Sequence, residues 1–187
     1  DKRSAYEESI RIPMLIRYPK MVPAGSIIEQ QVLNIDLAPT FLDLAGVEIP
    51  EHMQGLSMRR LFTHGGKKSR RKSILYEYWV DINYPQYPRI TAVRTDDFKL
   101  ITYPDIDDKD ELYDLKNDPG EKKNLIDVPF YAQKKEELHS ELDRLLKETE
   151  YKSSYGYLDK SKPFGLMFKP DFEKSKGNVL IDKKGSN

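Results

Sequence analysis

The sequence predicts the closing part of an α/β domain followed by a small α+β subdomain, built of about four antiparallel strands and one long helix. Three observations carry that prediction. A polar loop runs at once into Pro13-Met14-Leu15-Ile16-Arg17-Tyr18, an apolar run that reads as a strand needing partners on both sides. Short β-rich runs bounded by turn signals occupy residues 74–115. Residues 129–150 then repeat apolar side chains at helical spacing.

Taken in order, residues 12–19 are expected as a buried strand. Few strand candidates precede it, so the chain reads as starting mid-domain, with partners supplied from upstream or by another chain. Pro19–Gly25 is a turn-rich connection. Ser26–Val32 alternates as a second strand, with Ile28, Gln30 and Val32 on one face. Asp36 stands where a helix N-cap belongs, and Leu37-Ala38-Pro39 opens the first turn. Leu37, Phe41, Leu44 and Ala45 recur at helical spacing, and Gly46 suits the position after the last turn. Residues 47–72 read as a crossover holding Pro50, Gly55, Gly65, Gly66 and the basic run Lys67–Lys72. That run is a solvated loop or a polyanion contact.

Strands are expected at 74–80, 90–94, 99–103 and 111–115. Thr95–Phe98 makes a hairpin, and Asn117-Asp118-Pro119-Gly120 a turn. Asp127 is the expected cap of a helix over 129–150, whose apolar face holds Tyr131, Leu138, Leu142 and Leu145. Residues 151–187 are Lys-rich, with islands at Tyr155-Gly156-Tyr157 and Phe164–Phe168, and are expected as an extended arm. The organisation is therefore 1–72, the end of the large domain and its crossover; 73–150, the subdomain; and 151–187, the tail.

Charge narrows the function classes. The 31 basic and 31 acidic residues cancel, so no global field draws the chain to nucleic acid. No apolar run approaches the length that spans a bilayer. With no cysteine, disulfides and thiolate metal sites are excluded within the 187 residues. His52, His64 and His139 are not spaced as a metal pair, so no metal site is expected within this chain.

Five stretches, in order and over about residues 1–150, resemble the type I, formylglycine-dependent sulfatases of the alkaline-phosphatase-like superfamily. They are Lys2-Arg3-x-x-x-Tyr6-Glu7-Glu8-Ser9-Ile10-Arg11-Ile12-Pro13-Met14-Leu15-Ile16-Arg17, then Asn34–Gly46, Met53–Ser57, Ala92–Ile101, and Glu111–Glu121 with Asn124-Leu125. The resemblance is to the C-terminal portion of that family: the end of its α/β sandwich and the subdomain after it. It implies attack on sulfur by a hydrated formylglycine with help from Ca²⁺. The modification motif, Cys/Ser-x-Pro-x-Arg, is absent here. Nucleophile and metal ligands are therefore expected upstream, in an N-terminal remainder of the sulfatase, and the chain alone is expected to be inactive.

The same resemblance makes Lys2 the candidate catalytic residue, in contact with the sulfate. A fixed ammonium aimed at an oxygen that gains negative charge lowers the barrier to ester cleavage. Arg3 is a weaker neighbour, and Glu7 and Glu8 are expected to buttress the loop with Arg11. Trp79, Tyr84, Tyr87 and Arg89 are substrate-binding candidates: aromatic faces stack on sugars, and an Arg holds an anion through two parallel hydrogen bonds. The alternative is that such aromatics fill the core. The expected substrate is a sulfated carbohydrate. The other readings are a phosphonate or phosphate monoester hydrolase on the same scaffold, and a non-catalytic glycan-binding module. The expected location is periplasmic or secreted.

Overall fold

The computed structural model describes residues 3–64, 71–79, 87–107 and 109–150. Its centre is a four-stranded antiparallel meander in the order β1 (Ile74–Tyr78), β2 (Ile90–Arg94), β3 (Phe98–Thr102), β4 (Glu111–Asp114). The expected strands agree with these to within two residues. Register follows from the hairpin: Arg94 lies opposite Lys99, and the Thr95 amide closes the turn onto the Phe98 carbonyl at 2.8 Å. Ile101 then lies opposite Glu111, and Lys99 opposite Tyr113.

Strand alternation gives the sheet two different faces. On one, Val93, Leu100 and Leu112 pack against Leu138 and Leu142 of a long helix, with Leu125 closing the edge. That helix begins with a 3₁₀ turn, Pro129–Tyr131, and continues as an α-helix over Ala132–Glu148. Asp127, the expected cap, lies ahead of this start, and no side chain caps the α-helical N-terminus at Tyr131. Pro129 sets the first φ instead. On the other face, Ile90, Ala92, Ile101 and Tyr113 pack against Ala5, with Tyr6, Tyr76, Tyr78 and Tyr103 around them. The N-terminal segment thus crosses the expected boundary and lies on the sheet of the subdomain. It includes a single helical turn, α1 (Glu7–Ile10).

A third cluster joins the helix α2 (Leu37–Leu44) to α3 (Arg59–His64) through Met58, Leu61 and Phe62, with Leu37, Leu44 and Ile28 against them. Gly46, at φ +71°, ends α2; the Val47 amide reaches back to Leu42 at 2.9 Å. Asp36 precedes α2 as expected, but its carboxylate turns away from the first turn. It accepts the Leu33 and Leu56 amides at 2.9 and 2.7 Å and both Arg71 terminal nitrogens at 2.6 and 2.5 Å. Arg71 of the basic run is therefore an internal partner, and residues 67–70 lie outside the described residues.

The two strands expected at 12–19 and 26–32 do not form. Those runs are irregular, and Leu15 and Ile27 are 97% and 83% exposed. A strand needs a ladder, and among the described residues neither run pairs with an edge of the meander. Phe41, expected on the buried face of α2, is exposed as well. Residues 151–187 lie outside the described residues.

Candidate functional site

The segment that bears the candidate sulfate contact is fastened to the subdomain at consecutive residues. The Ala5 carbonyl accepts a hydrogen bond from Lys99 Nζ at 2.8 Å. The Tyr6 hydroxyl donates to Glu111 Oε2 at 2.8 Å. The Glu7 amide donates to Glu121 Oε2 at 2.6 Å. The Glu7 carboxylate receives Arg94 Nε and Nη2 at 2.9 and 3.1 Å and stands 2.7 Å from Lys99 Nζ. Lys99 has no exposed surface and also donates to Glu121 Oε1 at 2.7 Å. Two carboxylates and two cations balance, as burial requires. Burial pushes Glu7 up, but Arg94 and Lys99 outweigh it and hold its carboxyl below the ordinary value. The cations that meet Glu7 are thus on the sheet, in place of the expected Arg11.

Beside this network, Glu111 gathers three phenols. Tyr6 and Tyr113 donate to Oε2 at 2.8 and 2.5 Å, and Tyr103 to Oε1 at 2.6 Å. Burial first, then the Glu111 carboxylate, raises all three phenols above their usual value, so they stay hydrogen-bond donors. The rings of Tyr6 and Tyr113 meet edge to face with centroids 6.1 Å apart.

Trp79, Tyr84, Tyr87 and Arg89 are the residues the sequence offers for substrate binding. Tyr87 lies under the Arg3 guanidinium, 5.7 Å from ring centroid to Cζ, so the two implicated stretches touch. Arg89 is buried and engages Asp105 through Nε at 2.7 Å and Nη2 at 2.5 Å. Trp79 is half-buried and lines a separate open groove of about 2340 Å³, floored by Met14, Met58 and Phe62 and rimmed by Leu15 and Ile27. Lys2 and Tyr84 lie outside the described residues. Among the described residues, no group of three or more His, Cys, Asp or Glu is placed to hold a metal ion. Lys99, Arg94 and Glu121 are not among the residues the sequence singles out. The signal for Lys99 was alternation in Phe98-Lys-Leu-Ile-Thr102: Lys99 shares its face with the apolar Ile101, so it was never on a solvent face.

Residues 1–148 match the model of the family described as N-sulphoglucosamine sulphohydrolase, C-terminal. The chain belongs to this family. An N-acetylglucosamine-6-O-sulfatase of Bacteroides thetaiotaomicron is 40% identical over 176 residues, 91% of this chain and 30% of the relative. Human arylsulfatase K is 30% identical over 132 residues, 66% of this chain and 24% of the relative. Among solved structures, one protein in complex with its substrate D-glucosamine-2-N,6-O-disulfate superposes with a TM-score of 0.75 at 40% identity. That match covers 82% of this chain and 31% of the other. The fold is accordingly that of the C-terminal part of an alkaline-phosphatase-like sulfatase, and the family members around it are sulfuric ester hydrolases. The chain spans under a third of the length of each of these three.

Proposed function

We propose that this chain is the C-terminal portion of a sulfatase that removes sulfate from a carbohydrate, a 6-sulfated glucosamine being the substrate of choice. The observation that carries this reading is the meeting of Arg3, next in sequence to Lys2, with Tyr87, the last aromatic of the candidate set. In this reading Lys2 holds a sulfate oxygen and Tyr87, with Tyr84 near it in sequence, offers aromatic surface to the sugar, while Trp79 in the separate groove does not. The nucleophile, a formylglycine, and the Ca²⁺ that assists it would both be held by the preceding part of the polypeptide. That part would also cover Leu15, Ile27 and the open groove, which supply the apolar surface a sheet domain packs against. A periplasmic or secreted location is part of the same proposal.

The test is to express the full-length polypeptide and follow sulfate release from N-acetylglucosamine 6-sulfate, with an aryl sulfate and an aryl phosphate alongside. Sulfate release by the full polypeptide and none by residues 1–187 alone is the expected result. Faster cleavage of the phosphate ester would favour the phosphoester hydrolase, and sugar binding without turnover the glycan-binding module. Lys2→Ala is expected to lower kcat more than it raises KM; unchanged turnover would remove Lys2 from the site.

A further inference from the structure

We propose that Glu7, Arg94, Lys99 and Glu121, with Tyr6 and Glu111, are positioning residues: a latch on the C-terminal subdomain that sets the Lys2 loop for catalysis. This rests on reading Lys2 as the sulfate contact.

The latch grips three successive residues through both backbone and side chain. Lys99 takes the Ala5 carbonyl, Glu121 the Glu7 amide, Glu111 the Tyr6 hydroxyl, and Arg94 with Lys99 the Glu7 carboxylate. Lys2 precedes Ala5 by three residues, a reach of at most about 10 Å at full extension. Fixing Ala5 therefore confines where the Lys2 ammonium can be, and Arg3 on Tyr87 narrows the path between them.

Two features set the latch apart from ordinary packing. A buried ion network is an expensive way to cover a sheet face, because well-packed apolar side chains often do as well or better. What charged hydrogen bonds add is direction, and here they fix a backbone carbonyl and a backbone amide in place. In addition, Glu121 reaches the network from a left-handed backbone, φ +50°, which side-chain-bearing residues seldom adopt. The preceding Asp118 holds that turn by accepting the amides of Lys122 and Lys123, each at 2.8 Å. Strain kept by a supporting turn is the usual mark of a position that matters for geometry.

The experiment is a set of double-mutant cycles in the full-length sulfatase. Glu7→Gln keeps the shape of the side chain and removes its charge; Tyr6→Phe removes one hydroxyl and leaves Tyr103 and Tyr113 on Glu111. Each is made alone and with Lys2→Ala, and kcat, KM and Tm are measured on N-acetylglucosamine 6-sulfate. Glu7→Gln is expected to lower kcat by about 10- to 100-fold, the cost of a misplacement of the order of 1 Å, with KM little changed. In the Lys2→Ala background it should cost nothing further, because the group it positions is gone. A folded Glu7→Gln with full kcat, or losses that multiply in the double variant, would overturn the latch. Unchanged turnover in Lys2→Ala alone would instead overturn the Lys2 reading beneath it. Should Glu7→Gln fail to fold, Tyr6→Phe decides by the same two comparisons.

Discussion

Lys99 is buried among three partners. With no exposed surface it is held by Glu7, Glu121 and the Ala5 carbonyl; without the ammonium Glu121 loses its cation and Glu7 keeps only Arg94. Lys99→Met is therefore expected to cost about 3–5 kcal/mol, read as a fall in Tm, because it leaves the buried Glu121 carboxylate without a cation beside Glu7. Arg89 poses the same question at the rim. Its two-point pairing with Asp105, both side chains 7% exposed, predicts that Arg89→Ala destabilises by a similar few kcal/mol, about 3. Tyr87→Ala, which removes a half-buried ring under Arg3, should cost less stability and show itself in KM. Equal and small Tm shifts for the two would contradict the burial seen here.

Acid should loosen the same contacts. Glu7 and Asp36 both sit below their ordinary values: burial pushes each up, and the cations beside them, Arg94 with Lys99 and Arg71, prevail. Glu141 is lowered to about 2, chiefly by its hydrogen bonds from Arg144. In each case the unfolded chain binds protons more readily than the folded one below the ordinary carboxylate range. Stability is thus full above about pH 4.5 and declines as the pH falls through the folded values, towards about 2 for Glu141. The exposed Arg144–Glu141 pair contributes least, since water screens it. A Tm that stays level from pH 5 down to 2 would refute the assignment.

At the scale of elements, what could be read from the chain was whatever depends on near neighbours. Alternation and turn residues locate all four strands and the Thr95–Phe98 hairpin, and helical spacing locates the face of the long helix. Leu142 sits at the middle of that face, 3% exposed against Leu100 and Leu112. Leu142→Ala is expected to cost about 2–5 kcal/mol, measurable by urea unfolding. The runs 12–19 and 26–32 have the composition of strands but not the company. Their fate depends on an edge elsewhere, which no local pattern encodes. Asp36 shows the same limit in one residue: its position at the head of α2 was legible, while its carboxylate's partners, Leu56 and Arg71, come from 20 and 35 residues away.

Across the whole molecule, the sheet is a wall between two chemistries. One side is a plain apolar core under the long helix. The other is a polar, aromatic surface of Tyr6, Tyr103, Tyr113, Glu111, Arg94 and Lys99, closed by the N-terminal segment. Family motifs marked both the segment and the sheet as places of interest. That they are one structure was not legible, because the pairings join residues about a hundred positions apart. The Lys99–Ala5 contact closes a separation of 94 residues, and the Glu121–Glu7 contact one of 114.

Those separations carry a consequence for how the chain is made. Contacts within the meander are local and close quickly, whereas a contact across roughly a hundred residues waits on a costly loop closure. Synthesis adds a second delay, since Ala5, Tyr6 and Glu7 leave the ribosome long before Lys99 and Glu121 exist to receive them. What is translated first is settled last. An interrupted chain would then carry Ala5, Tyr6 and Glu7 in full and have nowhere to dock them, so the two ends of this stretch must both be finished before either is in place.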